Sequence, residues 1–249
     1  MFSRLRKILG TIWFFFTFGS IIVVGFALFR GYLWLMQQPT FVALSQDAGS
    51  TADVMSRVDT AVKIIAGLFF TTFGLRFLDQ FFFKGGLTNR LGFLTGSSFS
   101  LIRMFTYPFV HGDFGHLMGN TWLLLIFAGV AVFILPTLSI LLPVALFLFV
   151  IQGIGVWLFG AKGLQLGASG LVLGLFSFDV SHGLFAGSWK TAVAVILFVF
   201  FRKRIYYTLT SRGTLPNGAK ISVAGHLWGF LSGIFAAYLI SPFSPLSLY

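Results

Sequence analysis

Gly167-Ala168-Ser169-Gly170 sets a serine among glycines at the head of an apolar run that continues to Phe185. A serine inside hydrocarbon is ordinary, because Ser packs readily between membrane helices. Two other stretches change its meaning. Gly225-His226-Leu227-Trp228-Gly229 opens a later apolar run with a histidine, and His111, His116 and Asn120 open an earlier one. If these three openings share one side of a bundle, a hydroxyl, imidazoles and an amide meet inside a membrane.

The rest of the chain supplies the membrane. Of 249 residues 57% are hydrophobic and 9% charged, and the mean hydropathy is +0.94. A soluble domain carries about 25% charged residues, so this surface faces lipid. There is no Glu and no Cys, which excludes a disulfide framework and thiolate chemistry. The formal charge of +11 does not indicate a nucleic-acid partner. The bases lie mainly between apolar runs, as in membrane proteins, and not on one amphipathic face.

About 20 apolar residues span the hydrocarbon, and seven such runs are legible: 11–36, 61–83, 116–135, 138–160, 166–185, 189–209 and 223–241. The first is too long for a signal-peptide core and lacks a small-residue cleavage pattern after it, so it reads as a retained helix. The expected organisation is an N-terminal transmembrane helix (1–36), an extramembrane linker (37–60) holding Asp47, Asp53 and Asp59, a six-helix core (61–241) and a short tail (242–249). The fold class is therefore an all-α polytopic membrane protein with a 1+6 layout. No fixed-period repeat is visible, which weighs against inverted-repeat transporters and channels. The long connection 84–110 mixes apolar residues with Lys84, Arg90 and Arg103 and is expected to lie partly in the interface. Arg30 and Arg76 are read as snorkelling or locally paired, Arg76 with Asp79 at i+3. Asp179 and His182, near the end of the fifth run, are read as interfacial.

Once a helix begins at this point, His116 and Asn120 stand at i and i+4 and share a face. Exposing them to lipid is costly, so they are expected to point into the bundle. A zinc protease would need His-Glu-x-x-His, and Glu is absent. Asp113 and Asn120 are weak substitutes, so neither a metal nor another cofactor is assigned. Ser169 is expected a few residues into its helix, about 5–10 Å below the interface. Gly170 and Gly174 leave one helix face bare, and Gly225, Gly229 and Gly233 recur at four-residue spacing. Small residues at that interval let membrane helices approach closely, and Gly167 is read with them. If the bare faces meet, Ser169 and His226 fall side by side. A neutral imidazole can then take the serine proton, while His116, Asn120 and the Ser169 N–H supply donors for an oxyanion. A dyad without a carboxylate is chemically competent.

At this point the pattern resembles the rhomboid intramembrane serine proteases, over residues 61–241 and in the family's order: His-x4-His-x3-Asn, Gly-x-Ser-Gly, then a histidine followed by Gly-x3-Gly. The resemblance implies a rhomboid-like six-helix core with Ser169 as nucleophile and His226 as general base. It implies Asn120 and His116 in the oxyanion hole and His111 in a polar cavity that admits water. It also implies an embedded first loop (84–110), a flexible cap (202–222) and single transmembrane helices as substrates, cut near small or helix-breaking residues.

Two departures stand out. The family's frequent Trp-Arg pair in the first loop is Ile102-Arg103 here, and the tyrosine often found four residues after the serine is Leu173. Loss of that stacking either slows the enzyme or is made good by another aromatic such as Trp228. The resemblance also admits a rival, a silent rhomboid-like protein that binds transmembrane helices, but such a protein is expected to have lost the serine or the histidine.

Counting Lys and Arg by alternate sides of seven helices puts 12 on the side of the three openings and 3 on the other. The positive-inside rule then makes the N-terminus and the site face the cytoplasm or matrix. A cell inner membrane is the expected location, with the mitochondrial inner membrane as the alternative, because the layout is similar to that of mitochondrial rhomboids.

Overall fold

A computed structural model describes residues 51–214 and 221–241. The N-terminal helix expected at 11–36, Arg30, most of the linker, residues 215–220 of the cap and the tail at 242–249 lie outside the described residues. By internal contacts the chain divides into Met1–Ser56 and Arg57–Tyr249, and the fold below is that of the second unit together with residues 51–56.

Helix α1 (Thr51–Leu78) starts ahead of the expected run at 61, inside the supposed linker. Asp53 stands in its first turn, where negative charge is favoured by the macrodipole, and Lys63 pairs with Asp59 at i,i+4, 2.7 Å. Polarity marked these residues as linker, whereas their charges suit a helix end. A π turn (Asp79–Phe83) and the left-handed Lys84 and Gly85 end the helix. The Asp79 carboxylate then accepts from the Leu87 N–H at 2.8 Å and from the Thr88 hydroxyl. Arg76 only approaches Asp79, at 4.0 Å, and donates to Gln80 Oε1 at 3.1 Å.

The connection 84–110 is not the simple loop its mixed composition implied. It holds α2 (Gly86–Leu91), strand β1 (Phe93–Thr95), α3 (Leu101–Thr106) and a 3-10 turn (Tyr107–Phe109). β1 pairs antiparallel with β2 (Gly163–Gln165), in the register Phe93↔Gln165, Leu94↔Leu164 and Thr95↔Gly163. Leu101 and Ile102 stay exposed, as suits a segment against the headgroup boundary. Arg103 reaches the Gly92 carbonyl at 3.5 Å.

Five helices follow: α4 (Phe114–Ile134), α5 (Leu141–Phe159), α6 (Ser169–Ala186), α7 (Ser188–Thr210) and α8 (Val223–Leu239). Asp113 caps α4 by accepting from the His116 N–H at 2.8 Å, and Ser222 caps α8 by accepting from the Gly225 N–H at 3.0 Å. At the other end of α4 the Arg57 guanidinium donates to the Val132 and Leu135 carbonyls, both at 2.8 Å, and to Pro136 at 3.1 Å. These are the carbonyls a helix C-terminus leaves without partners.

Among the described residues four helices are long and apolar enough to cross a membrane: Ala52–Phe83, Phe114–Ile134, Leu138–Phe159 and Ser169–Ala186. The runs expected at 189–209 and 223–241 fall short for different reasons. Helix α7 carries Arg202-Lys203-Arg204 in its second half, and α8 is apolar but has 17 residues, about 25 Å of rise. The chain is a mainly helical, multi-pass membrane protein.

Helix α6 is the hub, packed on α4, α7 and above all α8. A Cβ on Gly229 would sit 2.2 Å from the Gly170 carbonyl oxygen, and one on Gly233 2.0 Å from that of Gly174. Backbone therefore rests on backbone, a contact any larger residue would break. From the other side, a Cβ on Gly174 would lie 3.0 Å from the Gly229 carbonyl oxygen, and Gly225 borders Gly170 through its own carbonyl. Gly167 takes no part in this seam, because it precedes α6. Asp179 and His182, expected at the interface, are buried in this hub. His182 Nε2 donates to the Ile134 carbonyl at 3.1 Å, and its ring stacks on Phe178. Position in a run indicated depth but not how many neighbours surround the helix there.

Candidate active site

Helices α4, α6 and α8 start on one side of the bundle; His116, Ser169 and His226 stand in their first turns, Asn120 one turn further along α4, and His111 just ahead of that helix. Ser169 is the first residue of α6, not a few residues inside it. Its Oγ lies 2.8 Å from Nε2 of His226, in the first turn of α8. The second imidazole nitrogen of His226 is buried with no carboxylate partner among the described residues. Both side chains line a cavity of about 330 Å³ together with His116, Asn120, Tyr107 and Gln152.

The wall beside the serine is shaped by Gly167, whose φ of +94° belongs to the left-handed region. A Cβ there would lie 2.5 Å from Cε1 of His116 and 3.2 Å from Nδ2 of Asn120. Both side chains thus press on the backbone just before the serine. Asn120 Nδ2 is buried and donates to nothing among the described residues. Such orphaned donors are rare in folded proteins, since desolvating one is costly. Here the donor faces the cavity beside Ser169. The Ser169 N–H belongs to the first helical turn, where amides have no helical acceptor.

His111 does not line the cavity as expected. It lies behind the wall, where Nε2 accepts from the Ala168 N–H at 3.4 Å and the ring meets His116 edge to face, centroids 5.2 Å apart. Burial, with His116 next, pulls its pKa down to about 3, so it is neutral and able to accept that bond. Trp228 does not support His226 either. It packs over Gly155 and stacks on Phe159, centroids 5.5 Å apart, leaving the buried Leu173 without an aromatic replacement from that residue.

Two cavity residues escaped sequence reading. Gln152 Nε2 donates to the Tyr107 hydroxyl at 2.7 Å, and a Cβ on Gly170 would meet that same nitrogen at 1.9 Å. Burial pushes the Tyr107 phenol up from its ordinary pKa, which keeps it a neutral hydrogen-bonding group. The available signal was Gln152 itself, the one amide in an otherwise apolar 19-residue helix.

The family model described as the Rhomboid domain matches residues 98–243. The chain belongs to the rhomboid family. All five residues expected at the rhomboid site fall within the matched stretch. The chain is 32% identical over 148 residues to uncharacterized proteins of Mycobacterium tuberculosis and Mycobacterium bovis, covering 54% of this chain and 57% of each relative. To an uncharacterized protein of Mycobacterium leprae it is 31% identical over 144 residues, 54% of either chain. This rhomboid thus spans about half the length of the curated relatives it matches.

Proposed function

We propose that this rhomboid is an intramembrane serine endopeptidase that cuts transmembrane segments of membrane-anchored proteins. The observation that carries the reading is the 2.8 Å contact between Ser169 Oγ and His226 Nε2 beside a buried amide donor with no acceptor among the described residues. As Oγ attacks the substrate carbonyl carbon, His226 Nε2 takes the hydroxyl proton and the carbonyl oxygen becomes an oxyanion. Asn120, His116 and the Ser169 N–H are the donors for that charge. Three helix N-termini pointing at one cavity add positive potential of the same sense. Collapse breaks the C–N bond, and the Nε2 proton passes to the leaving amine. The acyl-enzyme ester is then attacked by water, whose proton His226 accepts, and the serine is restored. No cofactor takes part. Helices that partly unwind at small residues are the substrates this cavity suits.

A fluorophosphonate probe tests the reading, because it labels an activated serine. Wild type is expected to label, whereas Ser169→Ala and His226→Ala are expected not to, with both variants folded. Labelling that persists in Ser169→Ala points to another nucleophile. A folded wild type that neither labels nor cuts, yet holds transmembrane peptides, favours the silent binding protein.

The mycobacterial relatives favour a bacterial cell membrane over a mitochondrial one. The charge count favours a site opening on the cytoplasmic side, with the core 61–241 following an N-terminal helix.

A further inference from the structure

Resting on the reading of Ser169 and His226 as the cutting pair, we propose that Arg204 selects substrates that carry an acidic side chain beside the cleaved bond. Among the described residues Arg204 is the one Lys, Arg or Asp that lines the cavity holding Ser169. Its guanidinium leaves α7 and crosses to α4, where a Cβ on Gly119 would lie 3.0 Å from Nη2. Gly119 directly precedes Asn120 and stands three residues after His116. The positive charge therefore sits against the turn of α4 that carries the proposed oxyanion donors, and α4 and α7 also meet through the edge-to-face pair Phe127–Phe201.

No carboxylate of the described chain reaches this cavity. The nearest in sequence to the α4 wall, Asp113, is engaged as the cap of that helix. A guanidinium presents a planar fork that fits a carboxylate with two parallel hydrogen bonds, so a peptide laid against Ser169 can supply the missing partner. Lipid phosphate is the competing anion. Arg202, Lys203 and Arg204 are all exposed on α7, but of the three Arg204 alone lines the cavity, which leaves the other two for the headgroups.

The test uses the full chain as Ser169→Ala, which binds without cutting, and a synthetic transmembrane peptide with an Ala-Gly bond near one end. Three versions carry Asp, Ala or Lys next to that bond. With Arg204 intact, Asp is expected to bind roughly two- to five-fold tighter than Ala, and Lys weaker than Ala, as for a partly exposed ion pair. Arg204→Gln should flatten the order and Arg204→Glu should reverse it, an outcome that a merely structural arginine would not give. Equal affinities with Arg204 intact, or an order that survives Arg204→Gln, overturn the proposal. Binding of all three peptides that follows the anionic lipid content of the bilayer through Arg204 assigns the residue to headgroups and overturns it as well. The fluorophosphonate probe is applied to the Ser169-containing protein in parallel. A charge order without labelling removes the protease reading and leaves the recognition standing.

Discussion

Deep in the cavity wall, the Asn120 amide keeps a donor that no group of the described chain accepts. Its removal should therefore leave the folded protein nearly as stable and be felt when the oxyanion forms. Asn120→Ala is expected to lower kcat by about 100- to 1000-fold with little change in KM, measured on a transmembrane peptide, while the melting temperature stays put. A loss of stability without a loss of rate would mean the amide is packing material. His111 makes the opposite kind of prediction. Its folded pKa of about 3 lies below the ordinary value of about 6.5, so between these values the unfolded chain binds a proton that the folded chain refuses. Stability contributed by the neutral imidazole is thus present above about pH 6.5 and declines as the pH falls toward 3. His111→Gln is expected to soften that decline in acid-unfolding experiments, whatever it does at neutral pH.

At the scale of elements, the α6–α8 pair dominates. Gly229 and Gly233 bring backbone against the carbonyls of Gly170 and Gly174, and the same two helices carry the serine and the histidine. Gly229→Leu should force them apart, and the result is a large fall in melting temperature together with loss of probe labelling, followed in parallel on one detergent-solubilised sample. A variant as stable as wild type would contradict the packing. This seam was legible in advance because four-residue glycine spacing is a one-dimensional signal with a direct three-dimensional meaning. The β1–β2 pairing was not, since two three-residue strands about seventy residues apart leave no alternation to read. The Tyr107–Gln152 bond was hidden for a similar reason, joining a loop to a helix 45 positions later. Asp179 and His182 were misjudged because the end of a run indicates membrane depth, whereas their burial comes from α4 and α7 closing around α6.

For the molecule as a whole, composition alone announced the membrane, and the order of the motifs announced the family. The crossings were less plain. Arg202-Lys203-Arg204 shortens the apolar part of α7, and those same residues weigh heavily in the charge asymmetry that sets orientation. If all seven apolar runs cross and the richer side is cytoplasmic, the far terminus lies outside. A reporter fused after Tyr249 is expected to read as non-cytoplasmic, and a cytoplasmic signal reverses the assignment.

Helix α6 begins at Ser169 itself, so the oxygen proposed to react stands at the end of an apolar span and not at its middle. If the protein cuts as proposed, acyl-chain length then becomes a control on turnover. Longer-chain lipids would raise the slab edge past the serine or tilt the bundle to compensate, thinning the supply of water to the ester, and shorter ones would bathe it. A host that remodels its lipids with temperature would retune this protein without touching its expression.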